Sequence, residues 1–158
     1  MAQTFPDVDI SYDANINAPA QATWAAISDF GNWPKWTSSF TNMKIEGDGI
    51  DKVGCIRSFE STETKTVYEE EELVKDETNL ILKFGLVSAK PATPFIEKQV
   101  VSATVVSDGD NKSIVHYIVA ITPNVQLPED EIEKFKEFGK LAYDKMFGDL
   151  NNYLKTHQ

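Results

Sequence analysis

The sequence predicts an α+β fold in which a curved antiparallel sheet of about seven strands wraps around a long C-terminal helix, with two short helices after the first strand. Three observations carry this reading. The C-terminal segment holds a wide apolar stripe at helical spacing. The middle of the chain is a succession of alternating segments separated by turn signals. The strand patterns are segregated from the long helix rather than interleaved with helices, which favours layers over a doubly wound parallel sheet.

The first strand is expected near Val8–Ile16, where Ile10, Tyr12, Ala14 and Ile16 alternate. Asn17-Ala18-Pro19 opens a helix, with Pro19 in its first turn, and Ala22, Ala25, Ala26, Ile27 and Phe30 give it an apolar face. Gly31-Asn32 ends it, and a short second helix or turn carries Trp33, Pro34 and Trp36. Strands follow near Met43–Glu46, Val53–Glu60, Thr66–Lys75 and Leu80–Val87, the first two separated by Gly47-Asp48-Gly49. Lys90-Pro91-Ala92-Thr93-Pro94 is a loop, since no central strand accommodates two prolines. Phe95–Val106 and Ser113–Ile121 read as a hairpin around Asp108-Gly109-Asp110-Asn111. The final helix spans Glu129–Lys155, about 40 Å at 1.5 Å per residue. Its first turn is acidic, as the helix dipole prefers. Ile132, Phe135, Phe138, Gly139, Ala142, Met146, Leu150 and Tyr153 form its stripe.

The 158 residues fit one domain, 1–158, with no repeat or linker. The start of the chain lacks a basic, apolar leader and no apolar run reaches the ~20 residues of a membrane span, so a cytoplasmic protein without membrane insertion is the expectation. A formal charge of −10 disfavours nucleic acid as a partner. One cysteine, Cys55, and two histidines, His116 and His157, argue against a disulfide or a conventional zinc site, so no metal is expected. No phosphate loop, dinucleotide fingerprint or nucleophile elbow is present, so no cofactor is expected either.

Four segments together carry a family resemblance: Ile16-Asn17-Ala18-Pro19-Ala20-Gln21-Ala22-Thr23-Trp24, Asp29-Phe30-Gly31-Asn32-Trp33-Pro34-Lys35-Trp36, Val53-Gly54-Cys55-Ile56-Arg57-Ser58-Phe59 and Glu71-Glu72-Leu73-Val74-Lys75-Asp76. Their order resembles the START-like superfamily, also called the SRPBCC or polyketide cyclase/dehydrase and birch-pollen-allergen-like superfamily. The resemblance implies a helix-grip fold with an internal pocket. Within it the segments look like the branch of abscisic acid receptors, lachrymatory-factor synthase and fern hydroxynitrile lyases, which carry a Gly-x-x-Arg strand followed by a carboxylate. That implies a polar role for Arg57, with Glu71 as the receptor- and synthase-type carboxylate and Glu69 as the fern-lyase one. The receptors' gate and latch are missing: Ser61-Thr62-Glu63-Thr64-Lys65 and Ser88-Ala89-Lys90-Pro91 stand in those places.

Alternation puts Cys55, Arg57 and Phe59 on one face of their strand. On the next strand Val67, Glu69, Glu71 and Leu73 share one face, and Tyr68, Glu70, Glu72 and Val74 the other; either could point inward. An inward carboxylate beside Arg57 would act as a base or orient a polar ligand group, whereas a solvated cross-strand pair would do little. His116 shares a face with Ile114 and Ile118 and is a candidate pocket base or a hydrogen-bonded core residue; Tyr117 points the other way. The expected pocket lining is Trp24, Trp36, Phe59, Phe84 and His116 from the sheet and short helices, and Phe138, Ala142 and Met146 from the long helix.

The expected function is binding of a small, largely apolar molecule in a pocket with a polar Arg/Glu end. The alternative is a cofactor-free lyase, isomerase or cyclase working through Arg57 and Glu71 or Glu69. A third reading is recruitment of a protein partner through rim loops, for which Ala92-Thr93-Pro94-Phe95 is the apolar hint.

Overall fold

The computed structural model describes residues 4–157. Its elements run β1 (Val8–Ile16), α1 (Ala20–Ser28), a 3-10 turn (Trp33–Lys35), β2 (Phe40–Ile45), β3 (Ile56–Ser61), β4 (Val67–Asp76), β5 (Ile81–Lys90), β6 (Ile96–Ser107), β7 (Ser113–Pro123) and α2 (Glu129–Thr156). The seven strands form one sheet in the order β1-β7-β6-β5-β4-β3-β2, every neighbour antiparallel. The α+β helix-grip architecture is therefore present.

The differences from expectation are local. Strand β3 begins at Ile56 rather than Val53, because Gly54 turns the chain at φ 94°. Pro19 and Pro128 stand just before their helices with extended backbone, rather than inside the first turn. Strand β2 begins earlier, at Phe40, and is interrupted by an irregularity between Thr41 and Lys44.

The concave face of the sheet is apolar because alternate residues point the same way. Ile10, Ala14 and Ile16 of β1 and Val115, Val119 and Ile121 of β7 are all buried. Helix α2 does not bury its stripe evenly. Met146, Phe147, Leu150 and Leu154 in its C-terminal half are core, each stabilising by about 2 kcal/mol through burial. In its N-terminal half Phe138 and Leu141 remain exposed. Gly139 lets the helix lie close to β1, since a Cβ there would meet Ile10 Cδ1 at 3.0 Å. Among the described residues no helix is long and apolar enough to cross a membrane.

Candidate functional site

Beneath the N-terminal half of α2 the concave face is not filled. A cavity of about 240 Å³ opens between α2 and the sheet, with Glu63, Thr64 and the exposed ring of Phe138 among its wall residues. Phe59, Phe84, Val101 and Val119 line it from the strands, and Ala142 and Met146 from the helix. It exceeds the ~150 Å³ void that takes a benzene molecule.

One region of the wall is polar. Arg57 is 1 % exposed and stands in an aromatic cage, its guanidinium carbon 3.9 Å from the Phe30 ring centre, 4.2 Å from Trp33 and 4.7 Å from Phe84. Its Nη1 donates to the Phe30 carbonyl at 2.9 Å. Its Nε and Nη2 both donate to Oε1 of Glu70, at 3.0 and 2.8 Å. Arg57 thus spends both contacts on one oxygen, and Oε2 of Glu70 is left for the cavity that Glu70 lines. Burial raises the Glu70 pKa against the opposing pull of Arg57.

Tyr68 of β4, Tyr117 of β7 and Tyr143 of α2 also line the cavity. Burial raises the pKa of Tyr117 and Tyr143, and the Glu70 charge raises both further. Both phenols are therefore held protonated, as donors.

The structure pairs Arg57 with Glu70, and with neither Glu71 nor Glu69. The reason is register. The four residues Thr62–Lys65 close Ser61 against Thr66, with Lys65 at φ 59°, and this sets Phe59 opposite Tyr68 and Arg57 opposite Glu70. Glu69 and Glu71 then fall on the outer face, where Glu69 accepts a hydrogen bond from Ser88. His116 is also corrected: its Nδ1 pairs with Asp13 at 2.7 Å on the outer face, opposite Tyr117. Trp24 is a core residue outside the cavity wall, its indole donating to Glu77. Trp36 is buried, donates to the Ala26 carbonyl at 3.2 Å, and borders a separate surface groove with Tyr153 and His157. Phe59, Phe84, Phe138, Ala142 and Met146 do line the cavity, and so does Trp33.

Sequence reasoning does not single out Glu70 or Tyr143. A signal for Glu70 exists in the Phe59–Tyr68 pair, because two aromatics directly opposite fix Glu70 opposite Arg57. Tyr143 lies one turn beyond Gly139, at the edge of the α2 stripe.

A gripped helix, a seven-stranded antiparallel sheet and a cavity between them define a START-like, or SRPBCC, domain. Residues 7–155 match the family model for polyketide cyclase / dehydrase and lipid transport, and the chain belongs to that family. Among solved structures it is similar to the protein XoxI from Bacillus cereus, at 16% identity and a TM-score of 0.76 over 96% of this chain and 99% of that one. Norcoclaurine synthase from Thalictrum flavum, solved with dopamine and hydroxybenzaldehyde, aligns with a TM-score of 0.72 at 16% identity, covering 97% and 89%. A START superfamily protein from Mycobacterium smegmatis gives 0.75 at 14% identity, covering 96% and 99%. At these identities the likeness is one of fold. No curated protein matches the sequence.

Proposed function

We propose that the chain binds a small, mostly apolar molecule, about the size of one or two rings, through a polar group that meets Glu70 and the tyrosine hydroxyls. The observation that carries this is the half-used Glu70 carboxylate on an otherwise apolar cavity wall. Oε2 would accept a hydrogen bond from a ligand hydroxyl or amine, and Tyr117 or Tyr143 would donate one to a carbonyl or ether oxygen. Arg57 is a positioning residue here, since Glu70 Oε1 and the Phe30 carbonyl take its donors and the aromatic cage surrounds its guanidinium.

The same set supports a second reading, cofactor-free acid–base catalysis. A buried carboxylate with a raised pKa beside protonated phenols is the pairing that general acid–base chemistry needs. Glu70 takes the place expected for Glu71 or Glu69. The norcoclaurine synthase likeness supports the physical feasibility of chemistry on small aromatic molecules in this fold, and no more.

The test uses N-phenyl-1-naphthylamine, a neutral apolar fluorophore with one N–H donor. Its emission is expected to rise and shift to the blue with the native chain and to stay at the free-dye level with Ala142→Trp, which fills the cavity. Equal binding by Ala142→Trp sinks the reading. Glu70→Gln is expected to weaken binding several-fold while the apolar contacts persist.

A further inference from the structure

We propose that Asp51, Cys55 and Glu72 form a binding site for a borderline divalent cation, Zn²⁺ above all, outside the ligand cavity. One ligand atom from each lies within 4.8 Å of the others. None of the three lines the cavity. The site is built where the β2–β3 loop returns to β4: the Gly54 amide donates to the Glu72 carbonyl at 2.8 Å, and the Glu72 amide to the Cys55 carbonyl at 2.9 Å.

Acidic clusters and single cysteines are common without any ligand. Glu72 sets this cluster apart. Its side chain is fully buried, and neither carboxylate oxygen has a hydrogen-bond partner among the described residues. A buried carboxylate normally accepts several hydrogen bonds, because leaving it without them costs a few kcal/mol. One of its oxygens instead lies within 4.8 Å of an Asp51 oxygen and the Cys55 sulfur.

The charged groups acting on it are Asp51 and Lys75. Lys75 Nζ is 2.8 Å from Asp51 Oδ1 and 3.5 Å from Glu72 Oε1, the latter without hydrogen-bond geometry. Asp51 Oδ2 accepts from the Phe30 amide at 3.1 Å. The lysine therefore supplies one positive charge to two carboxylates. A divalent ion would meet both together with the sulfur. On binding, the Cys55 thiol loses its proton to solvent, and so does the Glu72 carboxyl wherever it holds one. Two carboxylates and a thiolate then carry three negative charges against the ion's two positive ones, and the ion takes over from Lys75 as the counter-charge of the two carboxylates.

Thiolate plus carboxylate donors select borderline cations over Mg²⁺ or Ca²⁺. Zinc places oxygen at ~2.0–2.2 Å and sulfur at ~2.3 Å, so neighbouring ligand atoms sit about 3.5 Å apart. Asp51, on a partly exposed loop between the positive-φ glycines Gly49 and Gly54, can supply the needed contraction. Three protein ligands leave a fourth position for water.

The test is titration of the chelator-treated chain with Co²⁺, whose bond to a thiolate gives a near-ultraviolet charge-transfer band, followed by displacement with Zn²⁺. One equivalent is expected to produce the band, Cys55→Ser to lack it, and Glu72→Gln to weaken affinity at least tenfold. Lys75→Met, which removes the competing ammonium, is expected to tighten binding several-fold. Absence of the band in the native chain overturns the proposal, as does equal affinity in Glu72→Gln, an isosteric change that preserves packing. Unchanged or weaker binding by Lys75→Met overturns the claim that ammonium and metal contend for the same carboxylates. None of these readouts depends on the cavity.

Discussion

Glu70 and Glu72 lie two residues apart on β4, point to the same concave face and are both buried. They differ only in what the neighbouring strand and loop bring to them. Glu70 meets a guanidinium anchored by a carbonyl and five aromatic rings. Glu72 meets a second carboxylate, a thiol and a shared lysine. Burial of a carboxylate therefore does not define its chemistry. A rigid cation makes Glu70 a fixed acceptor with one oxygen to spare. Burial, with Asp51 crowding beside it, pushes the Glu72 pKa up to about 7, so Glu72 readily takes a proton.

The largest expected effect comes from removing the cation of the first pair. Arg57→Ala should destabilise the fold by about 4 kcal/mol in urea unfolding, because it leaves Glu70 buried without a counter-charge and opens a hole in the cage. The double variant Arg57→Met with Glu70→Leu should recover most of that loss, since apolar side chains of similar size suit the same cage. A double variant as unstable as Arg57→Ala breaks the comparison, for then the cage rather than the ion pair holds the strand.

The second expected effect concerns Glu72 and has the opposite pH sense to ordinary acid denaturation. Its folded pKa is raised from 4.5 to about 7, so the folded state holds a proton that the unfolded state has released. The stabilisation is complete below pH 4.5 and is lost as pH rises through about 7. With chelator present, this group alone should lower stability by ~3 kcal/mol between those limits. Glu72→Gln should flatten that slope and be the more stable protein at pH 8. An unchanged slope in Glu72→Gln assigns the proton elsewhere.

Smaller again is Tyr117→Phe. No side-chain hydrogen bond holds its hydroxyl among the described residues, so stability should move by no more than ~0.5 kcal/mol. Fluorophore affinity should fall if the hydroxyl serves the cavity. A large loss of stability would mean that the phenol is structural, like Arg57.

How much of this is legible in the sequence depends on period and register. The segregated strand and helix patterns define the sheet and α2, because both periods are strong over long segments. Arg57 and Phe59 share a face by alternation alone. The partner carboxylate is not legible in the same way. Residues 67–74 offer two faces of nearly equal polarity, and the choice between them rests on a four-residue loop with a left-handed Lys65. His116 misleads for a related reason: Ile114 and Ile118 beside it suggest an inward face, yet Ile118 is 42% exposed and the buried side is Val115, Tyr117 and Val119. The α2 stripe reads as continuous, but nothing in its period marks where core ends and cavity roof begins.

The Asp13–His116 pair supplies the floor against which both buried acids can be measured. It too is a cross-strand pair on directly opposed residues, 2.7 Å apart, but its side chains are 67% and 43% exposed. In that setting water screens the attraction and the ordering of two side chains offsets it, so His116→Ala should change stability by no more than ~0.5 kcal/mol. It should leave fluorophore binding and the cobalt band untouched, because His116 lies on the face away from the cavity and outside the Asp51–Cys55–Glu72 group. A shift in either readout would mean that the outer face communicates with the interior through β7. The separation between an exposed pair and the two buried acids would then no longer hold.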